Sequence, residues 1–189
     1  MKVNFLHFSS FSVCISLVLC LISNDTFGQL IPISLEQRID KANIIFEGKV
    51  AGKTSFWNED HTKIYTSHIV SVYKVFKGNL TSSQVEIITQ GGIVGRYMQI
   101  VSHSLQLDSA DVGVFMAIPN AAKLPQNSNL IRLKAYAGLQ GFIKYDLKTH
   151  SAKDPFTQYK SISDEVYPAI IKRTRASMVI IKKTDYQIK

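Results

Sequence analysis

Ile64-Tyr65-Thr66-Ser67-His68-Ile69-Val70-Ser71-Val72-Tyr73-Lys74-Val75-Phe76 runs without a glycine or a proline and is dense in β-branched and aromatic side chains. Such residues suit a pleated, half-buried surface, so the stretch reads as one long strand. At roughly 3.3 Å per residue it spans about 40 Å, and a strand of that length coils and meets different neighbours at its two ends. Lys77-Gly78-Asn79 closes it, and Val85-Glu86-Ile87-Ile88-Thr89 returns as the next strand, ended by Gly91-Gly92.

Upstream, Ile44, Phe46, Gly48 and Val50 alternate with Ile45, Glu47 and Lys49, the period of a strand with one well-buried face. Before it, Ser34-Leu35-Glu36-Gln37 forms a capping box that opens a helical turn from Leu35 to Lys41. The polar run Lys53 to Thr62, with Phe56 and Trp57 in its middle, reads as a connecting loop.

Downstream, Gly91, Gly92 and Gly95 permit tight turning or a bulge. Tyr97 to Leu107 alternates loosely, Asp108 to Asp111 is a turn, and Val112 to Ile118 is a short apolar strand stopped by Pro119. A linker, Ala121 to Asn129, precedes two further strands, Leu130 to Leu133 and Gly141 to Tyr145. Ser163 caps a helix from Asp164, with acids in its first turn and Lys172, Arg173 and Arg175 toward its end, although Pro168 works against it. The expectation is a mainly β chain with a short N-terminal helical turn and a C-terminal helix. Its parts are a signal peptide (1–28), a β core (29–120), added strands and a helix packed on that core (121–175) and a basic tail (176–189).

A length of 189 residues allows about one domain, and 46% hydrophobic with 19% charged residues excludes a disordered chain. Lys2, an apolar run from Phe11 to Ile22, and a polar stretch ending in Gly28 have the order of a secretory signal, with cleavage expected before Gln29. That run is too short for a membrane span, which needs roughly 20 residues. A lipoprotein signal would use Cys20, but Leu19 is larger than such signals prefer before the lipidated cysteine. Both cysteines, Cys14 and Cys20, precede the cleavage point, so the mature chain is expected to hold itself together by burial without disulfides.

The net charge is +8, and it is unevenly placed. Lys172 to Lys189 contributes +5 and 29–171 only +3. A barrel built for phosphates would carry its charge on its own strands and loops, so a nucleic-acid partner is not expected. The tail's basicity suits contact with an acidic envelope surface.

No motif for chemistry stands out. Glu59, Asp60, His61 and His68 are near one another, but no His-Glu-x-x-His or Cys pair accompanies them, and His68 shares the alternation of Ile64, Val70 and Val72. His103-Ser104 with Asp108 or Asp111 has the residue types of a hydrolytic triad without the Gly-x-Ser-x-Gly elbow. The run Gly91 to Gly95 lacks the Gly-Lys-Ser/Thr ending of a phosphate loop. The expectation is no catalytic residue, no metal and no cofactor. Two groups suggest partner binding: Phe56 and Trp57, large aromatics in a polar segment, and Arg96, Tyr97 and Met98 beside the glycines.

The series Ala42-Asn43-Ile44-Ile45-Phe46-Glu47-Gly48-Lys49-Val50, then Ile64-Tyr65-Thr66, Val72-Tyr73-Lys74-Val75-Phe76-Lys77-Gly78 and Val85 to Thr89 resembles the start of the TIMP/netrin-like module. That resemblance implies an OB-type five-stranded antiparallel barrel over about Ala42 to Ile118, so the β core is expected to be a small OB-like, TIMP-like antiparallel barrel. Ser55-Phe56-Trp57-Asn58, Gly91-Gly92-Ile93-Val94-Gly95, Gln140 to Asp146 and Asp154-Pro155-Phe156 extend it, nearly to Thr174. With these the chain resembles the N-terminal module of large secreted Gram-negative proteins bearing type IX sorting domains. Those proteins continue into further β-sandwich domains, so the resemblance implies a truncated relative. The zinc-chelating activity of the animal inhibitors does not carry over, because it needs an N-terminal cysteine and the expected mature end is Gln29.

The expected function is an exported, non-catalytic binding or accessory module of a secreted or cell-surface protein. Phe56, Trp57, Arg96, Tyr97 and Met98 would meet a protein or glycan at the cell surface, and the mature chain would have no transmembrane span. The alternatives are a peptidase-directed inhibitor or pro-region and, third, a small hydrolase built on His103 and Ser104.

Overall fold

The computed structural model describes residues 30–125 and 128–188. The expected signal peptide, its two cysteines and the cleavage point lie outside the described residues. The barrel is built entirely from one compact unit, Pro32–Lys189.

Helix α1 (Leu35–Lys41) starts where the sequence places it, with Ser34 Oγ accepting the Gln37 amide at 3.2 Å. Strands β1 (Ile44–Trp57), β2 (Ile64–Lys77) and β3 (Gln84–Gln90) follow as an antiparallel meander. A small hairpin, β4 (Gly92–Val94) and β5 (Tyr97–Gln99), forms a sheet of its own. Strands β6 (Val112–Pro119) and β7 (Arg132–Ala135) complete a closed ring in the order β1-β2-β3-β7-β6-β1. Every pairing in the ring is antiparallel except β3 with β7, which is parallel. The chain is thus a small, mainly β barrel of the OB-like kind, with a short helix near each end of the described chain.

The linker at 121–129 does not separate two bodies. Arg132–Ala135, beyond it, is a stave of the ring rather than an addition to its outside. Strands β8 (Phe142–Asp146), β9 (Ser151–Lys153) and β10 (Gln158–Tyr159) extend the sheet outward from β6. The segment expected to be Lys53–Thr62 loop is strand as far as Trp57, because its backbone pairs residue by residue with Ile64–His68. The C-terminal helix has two parts: a π-helical turn, Ile162–Val166, and α2 (Tyr167–Thr174). The cap is Ser161, whose hydroxyl accepts the Asp164 amide, and not Ser163. Pro168 falls in the first turn of α2, where no amide is required of it.

Both faces of β2 and of the first half of β1, Ile44–Val50, are largely buried, which explains their nearly unbroken apolar runs. Inside the ring, Phe46 stacks on Phe115 at 5.1 Å between centroids, and Phe115 packs on Phe142 at 4.5 Å. Outside it, Ile45, Phe76, Met116 and Ile143 pack under Ile39 of α1 and Ile162, Val166 and Ile170 of the C-terminal helices. Arg38 of α1 is buried and ties this layer together, donating to the Gln140 carbonyl and to Asp154 Oδ2, each at 2.6 Å.

The basic tail is not free. Val179 and Ile180 form a short strand, β11, on Val75 and Lys74 of β2. Asp185 accepts from Lys49 Nζ and from the Tyr73 hydroxyl, and Tyr186 reaches the buried Glu47. The long strand β2 therefore does have different second neighbours at its two ends: β3 beside Tyr65–Ser71 and β11 beside Lys74–Val75.

Candidate functional site

The mouth of the barrel lies where β1 and β3 end, β2 begins and the β4–β5 hairpin follows. Thr66 and His68 share the inward alternation of Val70 and Val72, and Thr89 comes from the facing position on β3. The hairpin is held against this end by backbone and side-chain bonds. Gly91 donates its amide to the Ile64 carbonyl at 2.8 Å, and Gln99 Oε1 accepts the Ile64 amide at 2.6 Å. Gly92 has φ +139, and a Cβ there would stand 2.4 Å from both Ser55 Oγ and Thr66 Oγ1, so the close approach needs glycine.

Between hairpin and barrel is a groove of about 630 Å³. Ile93, Met98, Ile100, Val101 and Leu107 give it apolar walls, and Thr66, His68 and Thr89 lie among its polar lining. His68 is 3% exposed, with Nε2 at 3.0 Å from Thr89 Oγ1 and Nδ1 without a hydrogen-bond partner. Burial, helped by the charge of Lys53, pushes its imidazolium down to about 4, so the ring is neutral at ordinary pH. Lys53 is tied at the rim to Asp108 Oδ1 at 2.9 Å and to the Leu107 carbonyl at 3.3 Å.

The residues singled out for partner binding meet in part. Trp57, at the end of β1, packs edge-on against Tyr97 at 5.6 Å between centroids and stacks on His61 at 6.3 Å. Arg96, in the hairpin turn, places its guanidinium 5.9 Å from the Tyr97 ring. Met98 pairs with Ile93 across the hairpin and lines the groove. Phe56 is half-buried opposite Tyr65 on β2 and joins none of these ring contacts. Tyr97, Met98, Ile93 and Ile100 are all more than half exposed, a concentration of apolar surface at one end of the molecule.

His103 and Ser104 both border the groove, but the Ser104 hydroxyl is donated to the Gln90 carbonyl at 2.8 Å, and no hydrogen bond joins the two side chains. Among the described residues no group of three or more His, Cys, Asp or Glu converges as a metal site would, and no helix is long and apolar enough to cross a membrane. No protein-family model matches the chain, and no curated protein matches it.

A second polar cluster lies on the outer face of the barrel. Glu47 is fully buried, accepts from the hydroxyls of Tyr145, Tyr167 and Tyr186, and pairs with Lys74 Nζ at 3.1 Å. Burial, then the Glu47 charge, raises all three phenols above their ordinary range, so each stays a donor. This cluster has no signature in the sequence, because its members are spread from position 47 to position 186. The placement of His68 was readable from its alternation with Val70 and Val72, although its open Nδ1 was not.

Proposed function

We propose that the chain is an exported, non-catalytic binding module that engages a protein partner through the hairpin end of the barrel. The observation that carries this reading is the exposed apolar patch of Ile93, Tyr97, Met98 and Ile100, flanked by Trp57 and Arg96. Single exposed apolar residues are ordinary, whereas several together, bordered by an arginine and an aromatic pair, have the composition of a binding surface. Aliphatic and thioether groups make up most of the patch, and Tyr97 is flanked by both Trp57 and Arg96. This favours a protein surface over a glycan, which would want free aromatic faces. The resemblance to an OB-type module of secreted proteins agrees with such a role, since these barrels present faces and loops to unrelated partners.

The reading is tested with a photo-crosslinking residue in place of Met98 in cells of the native host. One crosslinked protein is expected, and the double variant Tyr97→Ala, Ile100→Ala is expected to lower its yield about tenfold, the size of a modest hot spot. Unchanged yield in the double variant would overturn the assignment. If the crosslinked species were a peptidase whose activity fell on binding, the inhibitor reading would replace the accessory one. N-terminal sequencing of the exported protein, expected to begin at Gln29, tests the export step.

A further inference from the structure

We propose that the barrel-mouth groove is a binding site for a small, uncharged, amphipathic molecule, one that hydrogen-bonds His68 Nδ1 and lays an apolar body against Ile93, Met98, Val101 and Leu107. This site goes beyond the protein-docking reading and does not depend on it.

Three observations converge. The groove, at about 630 Å³, is of the size that encloses small ligands, and the mouths of β-barrels are common places for them. Its lining contains no carboxylate and no arginine, and its one lysine, Lys53, is held by Asp108 and the Leu107 carbonyl. A charged ligand would therefore lose its hydration without gaining a free counter-charge. The inner polar groups are otherwise partnered: Thr66 Oγ1 donates to the Gly91 carbonyl at 2.7 Å and lies 2.9 Å from Ser55 Oγ, and Thr89 Oγ1 meets His68 Nε2. His68 Nδ1 alone among the groove's buried side-chain nitrogens and oxygens has no partner. A buried ring nitrogen left open is costly, and a ligand alcohol or amide would satisfy it.

The neutral state of the ring fits the same ligand. A neutral imidazole bonded to a threonine hydroxyl through Nε2 can present Nδ1 as donor or acceptor, according to which way the Thr89 hydroxyl points. An alcohol or a primary amide can answer either tautomer, whereas a carboxylate answers only the donor and an ammonium only the acceptor.

The test uses four probes of one chain length, n-hexanol, hexanamide, hexanoate and hexylammonium, titrated at pH 7.5 into the protein labelled with 15N at histidine. The ring-nitrogen signals of His68 are expected to shift saturably with hexanol and hexanamide, at concentrations at least about fivefold below those needed for either charged probe. Substitution His68→Phe, followed through the ring-nitrogen signals of His103, which also lines the groove, is expected to weaken hexanol binding about tenfold. Thr89→Val, which removes the partner of Nε2 and leaves Nδ1 in place, is expected to change the tautomer-sensitive 15N shifts of His68. The wild-type titration needs no variant to fold. If no probe moves the His68 ring, the groove holds water alone and the proposal falls. It falls equally if hexanoate or hexylammonium binds as tightly as hexanol. None of these readouts involves the protein partner, so failure here leaves the crosslinking result standing, and the reverse.

Discussion

The hydroxyl of Tyr186 donates to Glu47 Oε1 at 2.7 Å, joining two residues 139 positions apart. Through that bond the last segment of the chain is fastened to the first strand of the barrel. Tyr73 packs edge-on to Tyr186 at 5.4 Å between centroids, and Asp185 beside it accepts from Lys49 and from the Tyr73 hydroxyl, so four contacts make the fastening.

Replacing Tyr186 by Phe keeps the ring packing and removes one hydrogen bond to a fully buried carboxylate. The expected cost is about 1–3 kcal/mol in urea unfolding at pH 7. The phenols of Tyr145, Tyr167 and Tyr186 hold their protons beyond the ordinary value of 10.0. The unfolded chain therefore releases protons first, and the stability present below pH 10 is lost as pH rises above it. Alkaline unfolding followed by circular dichroism is expected to be shallower in Tyr186→Phe than in the wild type.

The Arg38 and Asp154 side chains are 3% and 1% exposed. Removing one partner of a buried pair leaves the other uncompensated, so Arg38→Ala is expected to cost about 3–5 kcal/mol. Burial pushes the Asp154 carboxyl up, but the Phe156 amide, Arg38 and the Thr157 amide outweigh it and hold it below its usual 3.8. The folded value being depressed, this contribution is complete above the unfolded value and disappears as pH falls through the folded one. Acid unfolding of Arg38→Ala is expected to begin at higher pH than that of the wild type.

His68 also loses stability on the acid side, for a different reason: the fold holds its neutral form. Its folded value of about 4 lies under the unfolded 6.5, so between those two values the unfolded chain binds the extra proton. Stability is full above pH 6.5 and falls as pH drops toward 4, by roughly 3 kcal/mol at most for this one group. Urea midpoints measured from pH 7.5 to pH 5 are expected to decline in the wild type and to decline less in His68→Gln.

Gly92→Ala places a methyl on a backbone at φ +139, 2.4 Å from two hydroxyl oxygens. The hairpin must shift away from Ser55 and Thr66. A loss of about 1–3 kcal/mol is expected from the backbone strain alone, together with weaker binding of hexanol in the groove. Amide exchange of Ile64, whose amide is capped by Gln99, reports the displacement.

Much of this architecture can be read from alternation. The runs Ile44–Val50, Ile64–Phe76, Val85–Thr89 and Val112–Ile118 each became strands, and Ser34 caps the helix its spacing specifies. Lys53–Trp57 reads as loop in the sequence because its polarity follows from exposure near the open mouth, while its strand character comes from pairing with Ile64–His68. Strands β9, β10 and β11 have two or three residues each, too few for any period to register. Of the residues marked for binding, Trp57, Arg96 and Tyr97 come together, and Phe56 pairs elsewhere because one step along a strand changes the face.

Local alternation, turn residues and caps are properties of neighbouring residues, and they suffice to specify the staves, the first helix and a mainly β chain. The partners of Glu47 and the open nitrogen of His68 are properties of residues brought together from distant positions. They arise only when the ring closes, because burial strips water from a side chain and leaves its hydrogen bonds to whatever the other strands deliver. The same closure turned a tail that reads as free positive charge into a strap, since Tyr186 and Asp185 find their acceptors and donors on β1 and β2.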